Sequence, residues 1–181
     1  KAAAHFSLDA AKKTILIIGG SQGARSINQA VLAGLDRLAE AGIQVIWQTG
    51  IAFESTAKEA VSIPENTYVS AFIYEMDLAY AMADLVISRA GASSVSEICL
   101  LGKASILIPL PGAAEDHQTE NAKSLVSQNA AILVRDSEVK ESLITEALRA
   151  IQSDLSSIEK NSLRLAKPNA AHEIAQSILH A

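Results

Sequence analysis

Apolar runs of four to six residues recur along the chain, each ending in a turn and leading into a longer stretch where apolar positions return at helical spacing. That alternation marks repeated βα units, and parallel strands buried on both faces read as continuous apolar runs. The runs predict strands at residues 14–18, 44–48, 68–71, 85–88, 105–109 and 131–134. The periodic stretches predict helices near 24–41, 53–61, 77–83, 94–101, 118–128 and 138–151, with mostly helix beyond Val134. The expected fold class is α/β: a Rossmann-like, doubly wound parallel sheet of six strands with helices on both faces.

The 181 residues, 49% of them hydrophobic, suffice for the core of one domain, and no second domain, internal repeat or low-complexity segment interrupts them. Residues 1–13 read as a polar helical lead-in without an initiating methionine, which predicts a piece of something longer. Residues 168–181 read as a terminal helix with Pro168 at its start and a stripe of Ala171, Ile174, Ala175 and Ile178. That stripe either packs on the domain's own sheet or faces a missing partner.

Charge and cysteine content narrow the function. A formal net charge of -5, with Lys and Arg scattered singly among acids, provides no basic stripe for nucleic acid. The lone Cys99 permits neither an internal disulfide nor a paired thiolate metal site, and reads as a buried spectator. No apolar run approaches the ~20 residues of a membrane span, and no secretory signal opens the chain, so a reducing, cytoplasmic setting is expected.

In doubly wound sheets ligands bind beyond the carboxyl ends of the strands, so chemistry is sought there. "GGSQGA", residues 19–24, follows "ILII" and opens a helix, so its amides can gather about a phosphate. It lacks the Lys of a Walker loop. It also lacks the dinucleotide spacing, and the second strand ends "WQTG" with no acid for an adenosine ribose. The glycines are equally consistent with a tight strand-to-helix turn.

"SRAGASSVSE", residues 88–97, is a second turn of that kind, and two such turns in one sheet would frame a diphosphate. Ser94-x-x-Glu97 also spells a capping box, with Ser94 as the cap and Glu97 returning to its amide. The alternative makes Glu97 a bidentate acceptor for vicinal hydroxyls such as a ribose diol. Periodicity leaves both open. "EDHQTEN", residues 115–121, supplies donors and acceptors in a row, suited to sugar hydroxyls; His117 has no Ser or Cys motif near it and no second His at metal-ligand spacing. His5, His172 and His180 read as solvated surface.

Together, "GGSQGA", "RAGASSVSE" and "EDHQTENA", in that order and at those intervals, resemble the MurG family of bacterial peptidoglycan UDP-N-acetylglucosamine transferases, from about Ile15 to the C-terminus. The resemblance implies a GT-B glycosyltransferase, in which two Rossmann-like domains face each other across a cleft; this chain resembles the C-terminal, donor-binding one. It implies that Gly20, Ser21 and Gln22 face the donor diphosphate, with Ser94 and the Ala92 and Ser93 amides opposite. The main chain of Ile73 pairs with the uracil edge with Met76 nearby, Glu97 takes the ribose hydroxyls, Arg89 tunes the site electrostatically, and Gln118 beside His117 holds the N-acetylglucosamine hydroxyls.

The implied reaction is inverting transfer of N-acetylglucosamine from UDP-N-acetylglucosamine to the 4-hydroxyl of the muramoyl sugar of lipid I, giving lipid II. With no Asp-x-Asp motif, no metal is expected at the donor site and no cofactor beyond the substrate. Lipid I, the membrane-contacting surface and the catalytic base are assigned to an N-terminal half, and the whole protein to the cytoplasmic face of the bacterial inner membrane as a peripheral enzyme. The alternatives are another UDP-sugar enzyme of related fold, such as a UDP-N-acetylglucosamine 2-epimerase, and a non-catalytic nucleotide-sugar-binding module.

Overall fold

The computed structural model describes residues 1–20, 23–112 and 116–179. Among them one six-stranded sheet runs through the molecule: β1 (Thr14–Ile18), β2 (Gln44–Gln48), β3 (Thr67–Ser70), β4 (Leu85–Arg89), β5 (Ala104–Ile108) and β6 (Ile132–Leu133). Their spatial order is β3-β2-β1-β4-β5-β6, and every adjacent pair is parallel. The order reverses direction between β1 and β4. There the loops after the two strands diverge to opposite sides and leave a crevice, the usual ligand position in this architecture.

The helices are α1 (Ala2–Phe6), α2 (Arg25–Glu40), α3 (Glu54–Ala60), α4 (Met76–Met82), α5 (Ala92–Leu100), α6 (His117–Val126), α7 (Val139–Ile151), α8 (Ser156–Arg164) and α9 (Ala170–Leu179). Two separate cores cover the two sheet faces. On one, Ile15, Ile17, Val45, Trp47, Ile87 and Ile106 meet Ile27, Val31 and Leu38 of α2 and Leu143 and Ile144 of α7. On the other, Leu16, Ile18, Ile46, Val86 and Leu107 meet Phe6 of α1, Tyr80 of α4, Ile98 of α5 and Leu125 of α6. Consecutive residues of each strand therefore serve opposite cores, which is why every position of β1, β2 and β5 is buried. Each fully buried aliphatic side chain contributes roughly 1.5–3 kcal/mol.

Four expectations need correction. Helix α5 starts at Ala92, not at 94, because Gly91 in extended conformation is its N-cap. Ser94 is then the third helical residue and caps nothing, so the capping box does not form. The terminal helix starts at Ala170, two residues after Pro168, and none of its described residues is buried. Ile174 and Ile178 are 61% and 72% exposed, so the apolar stripe does not pack on this sheet. β6 shrinks to two residues and α8 is a distinct helix that the sequence reading merged into its neighbours. Cys99 is buried as expected, and burial raises its thiol pKa.

Candidate ligand site at the switch point

The turn after β1 is shaped by Gly19 and Gly23, where a larger residue would collide with the main chain. A Cβ on Gly19 would lie 2.4 Å from the Ala24 nitrogen; Gly23, at φ +77°, would place one 2.1 Å from the Thr49 carbonyl oxygen. Gly20 also has a left-handed φ of +81°, but a Cβ there would meet nothing within 4 Å. The Gly23 amide closes the turn on the Gly20 carbonyl at 3.1 Å. Ser21 and Gln22 lie outside the described residues.

Asn28 fixes the far end of this turn. Its Nδ2 donates to the Thr49 carbonyl at 2.7 Å, and its Oδ1 accepts from the Trp47 indole at 3.0 Å. All three residues are buried. Helix α2 therefore enters the site in register with the end of β2. Neither its N-cap, Ala24, nor Gly91 at α5 offers a side-chain cap. Among the described residues, both helices therefore present first-turn amides with no side chain to satisfy them, at the positive ends of their dipoles.

These two ends share a cavity of about 610 Å³. Its lining includes Gly20, Gly23, Ala24, Arg89, Gly91, Ser93, Ser94 and Gln118, so five of the expected site residues converge there. Gly91 has an ordinary φ of -66° and open space where its side chain would be. Its own fold does not demand a glycine, and the room it leaves belongs to the cavity.

Arg89 is committed within the protein. It donates to Asp136 Oδ1 at 2.6 Å, to Ser26 Oγ at 2.9 Å, and to the carbonyls of Ile108 and Pro109 at 3.3 and 3.2 Å. Ser26 Oγ in turn donates to Asp136 Oδ1 at 2.6 Å. Burial pushes the Asp136 carboxyl upward, but the hydrogen bonds from Ser26 and Arg89 and the arginine's charge outweigh it and hold the group below its ordinary value. The guanidinium thus ties β4, β5, α2 and the segment after β6 together, and its charge is largely met by Asp136.

The remaining expected residues that the structure describes are not among those lining this cavity. Glu97, exposed in the second turn of α5, accepts from the Tyr80 hydroxyl through Oε2 at 3.0 Å. Burial and the Glu97 carboxylate both keep that phenol protonated far above its ordinary range. Ala92 is exposed at the start of α5, His117 is exposed at the start of α6, and Met76, half-buried, opens α4. Gln118 Oε1 accepts from the Leu110 amide at 3.0 Å, leaving its amide NH₂ for other partners. Ile73 is buried, and its amide donates to Gln48 Oε1 at 3.0 Å. Only its carbonyl is without a protein partner among the described residues, which leaves that group for the expected main-chain pairing.

The sequence reading missed Ser26, Asn28, Gln48, Tyr80 and Asp136. Asp136 could have been found, because it follows a strand end, where ligand-facing groups gather. The others sit inside regular elements, and only the three-dimensional packing brings them to the site. Among the described residues no three His, Cys, Asp or Glu side chains gather as a metal site, and no helix is long and apolar enough to cross a membrane.

Residues 14–178 match the glycosyltransferase family 28 C-terminal domain. The chain is 47% identical, over 96% of its length, to the UDP-N-acetylglucosamine--N-acetylmuramyl-(pentapeptide) pyrophosphoryl-undecaprenol N-acetylglucosamine transferase of Phocaeicola vulgatus. It is 49% identical, also over 96%, to the transferase of the same name from Bacteroides fragilis. In each case it covers 47% of the relative, so the chain spans about half the length of the curated relatives it matches. The crystal structure of MurG from Acinetobacter baumannii superimposes with a TM-score of 0.79 at 32% identity, covering 94% of this chain and 52% of that one.

Proposed function

Because the chain belongs to the glycosyltransferase family 28 C-terminal domain family, we propose that it is the donor-binding half of an inverting N-acetylglucosamine transferase. The donor is UDP-N-acetylglucosamine, the acceptor the 4-hydroxyl of the muramoyl sugar of lipid I, and the product lipid II. One observation carries the reading: two helix N-termini without side-chain caps open on a single cavity at the switch point, with Gln118 of the third motif on its wall. Such ends favour a diphosphate by hydrogen bonding and by dipole together.

In this reading the amides of the Gly20 turn, with Ser21 and Gln22, meet one phosphate, and those of Ala92, Ser93 and Ser94 meet the other. Glu97 accepts from the ribose hydroxyls through the oxygen that Tyr80 leaves open, and Tyr80 fixes the other. The Ile73 carbonyl accepts from the uracil imide, and Met76 supplies apolar contact beside it. Gln118, with His117 next to it, donates to the sugar. Arg89 acts by bracing the strand ends rather than by lending a free charge. As UDP departs, the helix ends stabilise the growing negative charge without a metal ion. Acceptor, base and contact with the cytoplasmic membrane face belong to the other half of the protein, and the exposed apolar face of α9 is available to pack against it.

The test is calorimetric titration of UDP, UDP-glucose and UDP-N-acetylglucosamine into the 181-residue chain, with and without EDTA. UDP-N-acetylglucosamine is expected to bind more tightly than UDP, EDTA to change neither, and Gln118→Ala to erase the difference. A chain that binds none of them, or binds only with Mg²⁺, overturns the reading. The epimerase alternative shares the fold but requires turnover of the sugar nucleotide without an acceptor, and that assay on the whole protein separates it.

A further inference from the structure

Gln48 ends β2, the strand that lies between β1 and β3, and its side chain is only 6% exposed. Its Nε2 donates to the Gly20 carbonyl at 3.1 Å, in the turn after β1. Its Oε1 accepts from the Ile73 amide at 3.0 Å, in the loop after β3. Both partners are main-chain groups of fixed polarity, so the amide fits in one orientation only. A flipped amide would set oxygen against oxygen and N–H against N–H. We infer that Gln48 is a positioning residue: a strut that holds the glycine turn and the Ile73 loop at a fixed spacing, so that the two ends of a nucleotide diphosphate are read as one unit.

Chemistry supports a role beyond filling space. The Gly20 carbonyl already accepts from the Gly23 amide that closes its turn. A second donor, from beneath the turn, commits the negative end of that peptide group to the protein interior. A carbonyl left free to swing would repel a phosphate where the neighbouring amides attract one. At the other end, capture of the Ile73 amide holds the loop that carries the exposed Phe72 and Tyr74, whose rings pack edge to face at 5.0 Å. A side chain used only for packing at this site would be aliphatic, like Ile46 two residues earlier on the same face of β2.

This inference rests on the nucleotide reading above, and the experiment keeps the two apart. Gln48→Glu retains the acceptor for Ile73 but turns a carboxylate toward the Gly20 carbonyl. Buried without a cation, that carboxyl titrates above its ordinary range, and once protonated it restores one donor and one acceptor. UDP affinity, expressed relative to the unmodified chain at each pH, is therefore expected to fall by at least about tenfold near pH 8 and to recover to within about threefold near pH 5.5, a swing of the size that one hydrogen bond with a charged partner carries. Gln48→Leu should lose affinity at both pH values without recovery. A Gln48→Glu deficit that is absent, or that does not change with pH, overturns the strut. If the unmodified chain binds no UDP, the nucleotide reading fails, and the strut is judged by amide exchange instead. Ile73 should then exchange at least about tenfold faster in Gln48→Leu than in Gln48→Glu, in proportion to the opening equilibrium, and equal rates sink it.

Discussion

Replacing Gly23 by alanine separates the structural demand of the first turn from any demand of a ligand, and its cost follows from the geometry. An L-residue at φ +77° carries about 1–2 kcal/mol of left-handed strain. The new Cβ would also stand 2.1 Å from the Thr49 carbonyl oxygen, a main-chain atom that cannot rotate away. Relief requires the turn and the end of β2 to part, which stretches the 2.7 Å bond from Asn28 to that same carbonyl, worth about 1 kcal/mol net. The total is roughly 2–3 kcal/mol, a large share of a typical 5–15 kcal/mol domain stability.

Urea unfolding measures it well here. Trp47 is the only tryptophan, is fully buried, and donates to Asn28 in the strained network. Its fluorescence reports the affected region, and far-ultraviolet circular dichroism reports the whole domain. Gly20→Ala is the internal comparison: its φ is equally left-handed, but its Cβ enters open space, so only about 1–2 kcal/mol is expected. A Gly23→Ala loss no larger than that of Gly20→Ala, at unchanged denaturant slope, would refute the argument that close approach to Thr49 requires this glycine.

Gly91→Ala should behave in the opposite way: thermal stability unchanged or raised, by up to about 1 kcal/mol through the unfolded chain, while UDP affinity falls because the methyl enters the cavity. Unchanged UDP binding by titration would show that the space at Gly91 is not used. Tyr80→Phe removes the donor to Glu97 and is expected to weaken UDP by roughly 1 kcal/mol yet leave 2′-deoxy-UDP nearly unaffected; equal losses for the two ligands would point to a packing role alone. Asp136, whose folded pKa lies below its unfolded value near 3.8, contributes stability that is present above that value and lost as pH falls through the folded one. Asp136→Asn should therefore lower the melting temperature at neutral pH and shrink the further drop as pH falls below about 4; a parallel drop in both proteins assigns the acid sensitivity elsewhere.

The sheet was readable in the sequence because parallel strands buried on both sides leave continuous apolar runs. β1 and β2 fall on the predicted residues, and β3, β4 and β5 within one residue of them. Ser94-x-x-Glu97 misled because a capping pattern records only local preference, whereas the extended Gly91 sets the helix start two residues earlier. Strand-end positions pointed to the three motifs that bring Gly20, Arg89, Ser93, Ser94 and Gln118 to one cavity, whereas the individual residues were named through the family resemblance. Gln48, Tyr80 and Asn28 were not, since a single polar residue in a buried strand or on an inward helix face leaves no periodic trace. Their partners lie 17 to 28 residues away for the closest bonds. Arg89 was located correctly, but its carboxylate partner lies 47 residues downstream and could not be inferred from spacing.

The bond from Ser26 to Asp136 spans 110 residues, while the registers of β1 with β2 and with β4 are set by much nearer chain. Long-range closures are entropically costly and tend to come late in folding. As the polypeptide leaves the ribosome, both glycine-bearing turns are synthesised well before residue 136 can latch them through Ser26 and Arg89. The ligand crevice is therefore among the last parts of the domain to mature. A nascent chain stalled just before residue 136 would hold all six strands with an open, unlatched crevice, and the order of synthesis itself keeps an incomplete domain from sequestering its ligand.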